Sequence, residues 1–177
     1  MTREQLEHLI RAAAVISDDD TIVVLGSQAI LGQFPDAPAS MRTSIEADLF
    51  PLHHPERAVA IEGSIGELSP FHETFGYYAE GVSEEAALLP QGWKDRLVLI
   101  QNESTRGAKG LCLEVHDLLA AKALARREKD IAFLKDAALH QLADRETILR
   151  RLDTVEVDPA IRDHARRLIE RAFREAI

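Results

Sequence analysis

Residues 21–51 read TIVVLGSQAILGQFPDAPASMRTSIEADLFP, and the fold turns on them. Thr21-Ile22-Val23-Val24-Leu25 is short, β-branched and apolar throughout, as a strand covered on both faces must be. It stops at Gly26, which has no Cβ and lets a ligand approach the backbone closely. Ser27 reads as the N-cap of a brief helix, residues 28–33, whose first amides and cap hydroxyl suit a phosphate. After a Pro-rich loop (FPDAPAS), residues 44–50 alternate Ile45, Ala47 and Leu49 with Ser44, Glu46 and Asp48. That is a strand with one buried and one polar face. Glu46 and Asp48 therefore project together. Two carboxylates so placed repel unless a cation joins them, and their hard oxygens suit Mg2+ or Mn2+. A phosphate grip beside a carboxylate pair is what metal-assisted phosphoryl or nucleotidyl transfer needs. Each half alone is ordinary, a turn and a solvated face; their order and spacing carry the functional reading.

Outward from this core, Leu6, Leu9, Ile10 and Ala13 keep helical spacing and predict an amphipathic helix over residues 3–16. Residues 51–92 are acidic and broken by Gly and Pro, with a short helix expected near 55–60 and a strand around 75–78. Residues 96–100 and 111–115 read as two more strands, separated by a polar turn with Gly107 and Gly110. Beyond Val115 the texture is helical only. Residues 116–140 read as one long helix, Asp144 caps another, and Asp158-Pro159 is an N-cap followed by Pro at the first helical position. The expected architecture is α/β (α+β): a small mixed β-sheet core over residues 1–115, with a C-terminal helical block, residues 116–177, packed on it as one compact unit.

VLGSQAILG followed by MRTSIEADLFP resembles the signature of the nucleotidyltransferase superfamily, a Gly-Ser after a strand and an acidic-x-Asp pair on the next. The form Arg42-x-Ser44-x-Glu46-x-Asp48 is similar to the branch containing the AbiEii-type toxins of bacterial toxin–antitoxin and phage-defence systems. That branch has a downstream helical motif, matched here by Lys122 and Lys129-Asp130 in HDLLAAKALARREKDIAFL. FGYYAEGVSEEAALLPQGWKDRLVLI also resembles uncharacterised bacterial members, so the likeness spans residues 21–134. It implies catalytic carboxylates at Glu46 and Asp48, which hold the metal, and nucleotide contacts from Gly26, Ser27, Arg42, Ser44, Lys122 and Asp130. A third carboxylate on a later strand is common in the superfamily. Glu114 is the candidate, opposite Leu111, Leu113 and Val115, although a surface residue at a strand edge fits it equally well. Two departures stand out: Glu46 replaces the usual Asp, and the Lys122–Asp130 spacing is short. The implied reaction moves a nucleoside monophosphate from a nucleoside triphosphate to a hydroxyl of a tRNA or a protein, with a cognate partner protein in a toxin–antitoxin setting. A catalytically inactive module of antitoxin type is the alternative. A helical adaptor is a third, and it predicts Glu46 and Asp48 far from Gly26.

Composition sets the limits. The chain has 177 residues, 30 acidic and 21 basic, for a net charge of −9. Residues 1–92 hold 15 acidic and 4 basic groups, residues 93–177 hold 15 and 17. This excludes a generic nucleic-acid coat but not a basic C-terminal face. The Arg162, Arg166, Arg167, Arg171, Arg174 series is interleaved with acids, as on a solvated helix; RNA contact is the sharper alternative. No apolar run reaches membrane-spanning length and the first residues are too charged for a signal peptide, so a cytoplasmic protein without membrane contact is expected. The single Cys112 forms no internal disulfide and reads as a half-buried structural residue. His53-His54 reads as a surface turn and Asp117 as a residue facing a helix dipole, while an exposed i,i+4 pair with Arg126 is the plainer alternative for Asp130. Walker-type and Rossmann glycine motifs are missing from the sequence.

Overall fold

The computed structural model describes residues Met1–Ala176 and divides into two compact units. One comprises Met1–Ala86 with Leu97–Leu113; the other comprises Ala87–Arg96 with the residues from Glu114 onward.

The first unit is built on a mixed sheet of five strands: β1 (Thr21–Leu25), β2 (Glu46–Pro51), β3 (Tyr78–Gly81), β4 (Val98–Ile100) and β5 (Lys109–Cys112). Their order is β3-β2-β1-β5-β4. β1 lies at the centre, antiparallel to β2 and parallel to β5, and all five of its residues are buried. That position is why its sequence does not alternate. β2 does alternate: Ala47 and Leu49 are buried while Glu46 and Asp48 are partly open. The strand begins at Glu46, two residues later than expected, and Ile45 is 48% exposed instead of buried.

Helix α1 (Arg3–Ser17) starts on a capping box of Thr2 with Gln5 and buries Leu6, Leu9, Ile10 and Ala13. It approaches β5 so closely that a Cβ on Gly110 would stand 2.4 Å from Ile10 Cδ1. Helices α2 (Ala58–Ile65) and α3 (Pro70–Phe75) lead into β3, which begins only at the last residue of the expected 75–78. Ser69 caps α3 by accepting from the His72 amide.

The second unit is helical: α4 (Val115–Ala125), α5 (Glu128–Leu139), α6 (Arg145–Leu152) and α7 (Pro159–Glu175). Asp144 and Asp158 cap α6 and α7 as expected. The expected long helix over 116–140 is two helices. Arg126 takes a left-handed conformation (φ 59°), closes α4 and turns the chain before α5 begins. On a continuous helix Lys122 and Asp130 would sit roughly 80° apart. With the break they meet, Nζ to Oδ1 at 2.8 Å. The Ala87–Arg96 strap is tied to these helices by Arg96, whose guanidinium donates to both Asp117 oxygens at 2.8 and 3.0 Å. Asp117 is fully buried and also faces Arg151 at 3.5 Å, so it is an ion-pair centre and not merely a residue facing a helix dipole. A mixed sheet followed by a helical block is the architecture expected from the sequence. Among the described residues no helix is long and apolar enough to cross a membrane.

Candidate active site

The site is assembled at one end of β1. Gly26 follows the strand with φ 64° and ψ −167°, a conformation almost confined to glycine. A Cβ there would lie 1.9 Å from Asp48 Oδ2 and 2.8 Å from Asp48 Cγ. The backbone at Gly26 therefore lies directly against the Asp48 carboxylate, the opposite of what a helical adaptor predicts. Gly26 also holds the cap position. Ser27, expected there, is instead the first residue of a 3-10 helix, Ser27–Gly32. Next along this turn, Gln28 is 1% exposed. Neither atom of its side-chain amide has a hydrogen-bond partner, although such burial normally demands one.

Across the sheet, β3 runs parallel to β2 with Glu46 beside Tyr78 and Asp48 beside Glu80. In-register neighbours on parallel strands share a face. Carboxylate oxygens of Glu46, Asp48 and Glu80 consequently lie within 4.8 Å of one another, with Glu46 and Asp48 half-buried and Glu80 exposed. Three oxygen donors at this spacing fit a hard divalent cation that keeps part of its water shell, as Mg2+ does. The Tyr78 hydroxyl donates to Glu46 Oε2 at 3.0 Å. Burial, then the bond to Glu46 and the charges of Glu46, Glu67 and Glu80, push that hydroxyl up to about 12.

The other expected site residues have hydrogen-bond partners of their own. Arg42 donates through Nε to the Ala37 carbonyl at 2.6 Å, and its own carbonyl accepts from the Met1 ammonium. Ser44 Oγ accepts from the Glu46 amide at 3.2 Å and sets the entry into β2. Glu114, Lys122 and Asp130 belong to the helical unit. Glu114 is not on a strand, because β5 ends at Cys112. It is the N-cap of α4, accepting from the His116 and Asp117 amides and meeting His116 Nδ1 at 2.5 Å. Lys122 is 6% exposed, with Nζ on Asp130 and 4.5 Å from the centre of the Phe133 ring. Asp130, fully buried, also takes Arg127 Nε at 2.6 Å, where the sequence pointed to Arg126.

Glu80 is the site residue that sequence reasoning missed. Its one local signal is the spacing Tyr78-x-Glu80, the same two-residue step as Glu46-x-Asp48. A second acidic group, Asp19, Asp20 and His53, is of a different kind. The Asp19 carboxylate already accepts from the amides of Thr21, His53 and His54 and meets His53 Nδ1 at 2.9 Å. With its lone pairs so engaged, it pins the His53-His54 turn to the start of β1. Cys112 is fully buried, not half-buried, and burial pushes its thiol up to about 12.

No curated protein and no solved structure matches the chain. Residues 4–176 match the family described as "Nucleotidyltransferase of unknown function (DUF6036)". The match covers nearly the whole chain, and the protein belongs to that family of nucleotidyltransferases.

Proposed function

We propose that the protein is a Mg2+- or Mn2+-dependent nucleotidyltransferase. It moves a nucleoside monophosphate from a nucleoside triphosphate to a hydroxyl of an RNA or protein acceptor. The carrying observation is the Glu46, Asp48 and Glu80 group, closed within 4.8 Å, with Gly26 shaped to lie against Asp48. Family membership supports the reaction class. The Arg42-x-Ser44-x-Glu46-x-Asp48 pattern supports a place in the AbiEii-type branch, hence a cytoplasmic role in a bacterial toxin–antitoxin or phage-defence system.

Each residue then has a task. Glu46, Asp48 and Glu80 hold the metal, which when bound offsets triphosphate charge and makes the acceptor hydroxyl more acidic. Gly26 leaves room for the Asp48 carboxylate against the backbone, and the Ser27 hydroxyl donates to a phosphate oxygen. Glu80, the most open of the three acids, takes the acceptor proton. The acceptor oxygen bonds to the α-phosphorus, the bond from that phosphorus to the β-phosphate bridging oxygen breaks, and pyrophosphate leaves with its electron pair. Lys122 and Asp130 satisfy each other in the helical unit and brace it, so phosphate binding is assigned to the sheet.

Calorimetric titration of each nucleoside triphosphate with Mg2+ tests this reading. Binding that needs Mg2+ and is lost in Asp48→Asn supports it. Heat that is the same with and without the metal rejects it in favour of the inactive module.

A further inference from the structure

Glu46 has one methylene more than its partner Asp48, which adds a rotatable bond between backbone and carboxylate. A longer, freer acid is a poorer ligand unless something fixes it. We propose that Tyr78 is a positioning residue that clasps the Glu46 carboxylate and holds it in register with Asp48 and Glu80. The proposal rests on the nucleotidyltransferase reading of the same site.

The clasp is built into the main chain. Parallel pairing sets Tyr78 beside Glu46, one step before the Asp48–Glu80 pair, so the tyrosine and all three acids share a face. The hydroxyl donates to Glu46 Oε2 at 3.0 Å, leaving Oε1 for a cation. The ring is itself braced: Tyr78 is only 9% exposed, and His72 packs on it with ring centres 4.7 Å apart. His72 is in turn held, its Nδ1 accepting from the Leu68 amide at 3.1 Å and its amide donating to Ser69 Oγ at 3.1 Å. A continuous line of contacts thus runs from the start of α3 to the carboxylate.

The adjacent Tyr77 shows the contrast. Its hydroxyl meets His8 Nδ1 at 2.7 Å, among the rings of Phe71 and Phe75. Tyr77 stands just before β3 and packs against His8 of α1 with Phe71 and Phe75, while Tyr78, the first residue of the strand, serves the site.

Groups that orient metal ligands typically matter by about 10- to 100-fold in metal affinity. A neutral hydroxyl making one bond belongs at the low end, about tenfold. The experiment is Mn2+ binding to the nucleotide-free protein, read by the loss of the free-ion electron paramagnetic resonance signal. Wild type, Tyr78→Phe, Glu46→Gln and the double variant are compared, with Tyr77→Phe as the control and melting curves confirming folding. Tyr78→Phe, which keeps the ring against His72, weakens Mn2+ about tenfold. Tyr77→Phe leaves it unchanged, and Tyr78→Phe adds less than about twofold to Glu46→Gln, because its effect passes through Glu46. Equal Mn2+ affinity in wild type and Tyr78→Phe overturns the clasp alone. So does an undiminished Tyr78→Phe effect in the Glu46→Gln background. Wild type that binds no Mn2+ overturns the clasp together with the reading beneath it.

Discussion

Gly26→Ala is the sharpest probe of how the site is built. The substitution adds one methyl group and meets two separate obstacles. The first is the backbone: φ 64° with ψ −167° costs a residue bearing a Cβ about 1–3 kcal/mol. The second is the Asp48 side chain, whose Oδ2 and Cγ would stand 1.9 and 2.8 Å from the new carbon. No atom pair tolerates that, so Asp48 must leave its rotamer, which adds about 1 kcal/mol. A total loss of about 3 kcal/mol follows, worth about 6–12 °C in melting temperature for a chain of this size. The two terms separate in the Asp48→Ala background. There the nearest remaining Asp48 atom is Cβ at 3.5 Å, an ordinary contact, so only the backbone term survives. Differential scanning calorimetry of wild type, both single variants and the double variant closes the cycle. Mn2+ binding, measured in parallel, should vanish in Gly26→Ala as the displaced carboxylate leaves the group. A Gly26→Ala protein that melts within about 2 °C of wild type and binds Mn2+ normally refutes the reasoning.

Four further outcomes follow from the same structure. Asp130 is ionised between Lys122 and Arg127; burial alone would raise its carboxyl, but their hydrogen bonds and charges hold it below the ordinary 3.8. A depressed aspartate stabilises the folded state above its unfolded value, and that contribution is lost as pH falls through the folded one. Urea midpoints of the helical unit should therefore drop below about pH 4, and Asp130→Asn should remove this pH dependence. Lys122→Ala should cost about 3 kcal/mol in urea denaturation, the low end for a broken buried pair, since Arg127 stays with Asp130. Arg96→Ala should cost a similar ~3 kcal/mol by leaving buried Asp117 to Arg151 alone, and limited proteolysis should then cut within Ala87–Arg96. Cys112 should resist a disulfide-exchange reagent at about pH 8 in the native protein and react at once in urea, because burial disfavours the thiolate.

Local patterns made the candidate site legible and left its third acid hidden. Thr21–Leu25 and the Glu46–Leu49 alternation are self-contained signals, and Gly26 marks the junction between strand and turn. Glu80 has no such signal, since β3 is four residues long and only parallel pairing with β2 brings it to Asp48. Glu114 was drawn into a strand because the alternation of residues 111–115 continues past the sheet. Glutamate is also an unusual residue for an N-cap. The break at Arg126 lacks the glycine or proline that normally announces one; it is held by the Lys122–Asp130–Arg127 cluster, which is tertiary. Cys112 was expected half-open because it alternates with Leu111 and Leu113, on the same side as Glu114. The turn at Gly32 covers it, with room there for no side chain: a Cβ would stand 2.6 Å from Cys112 Cβ.

The carboxylate group is the centre of the functional proposal, and label transfer tests it most directly. Wild type, Asp48→Asn and Glu80→Gln are incubated with each α-32P-labelled nucleoside triphosphate, total RNA and cell lysate, with Mg2+ or with chelator. A metal-dependent nucleotidyltransferase attaches label to an acceptor only with Mg2+, loses transfer in Asp48→Asn, and falls by at least about 100-fold in Glu80→Gln. Transfer that persists in chelator, or that survives both substitutions, contradicts a reaction run by Glu46, Asp48 and Glu80.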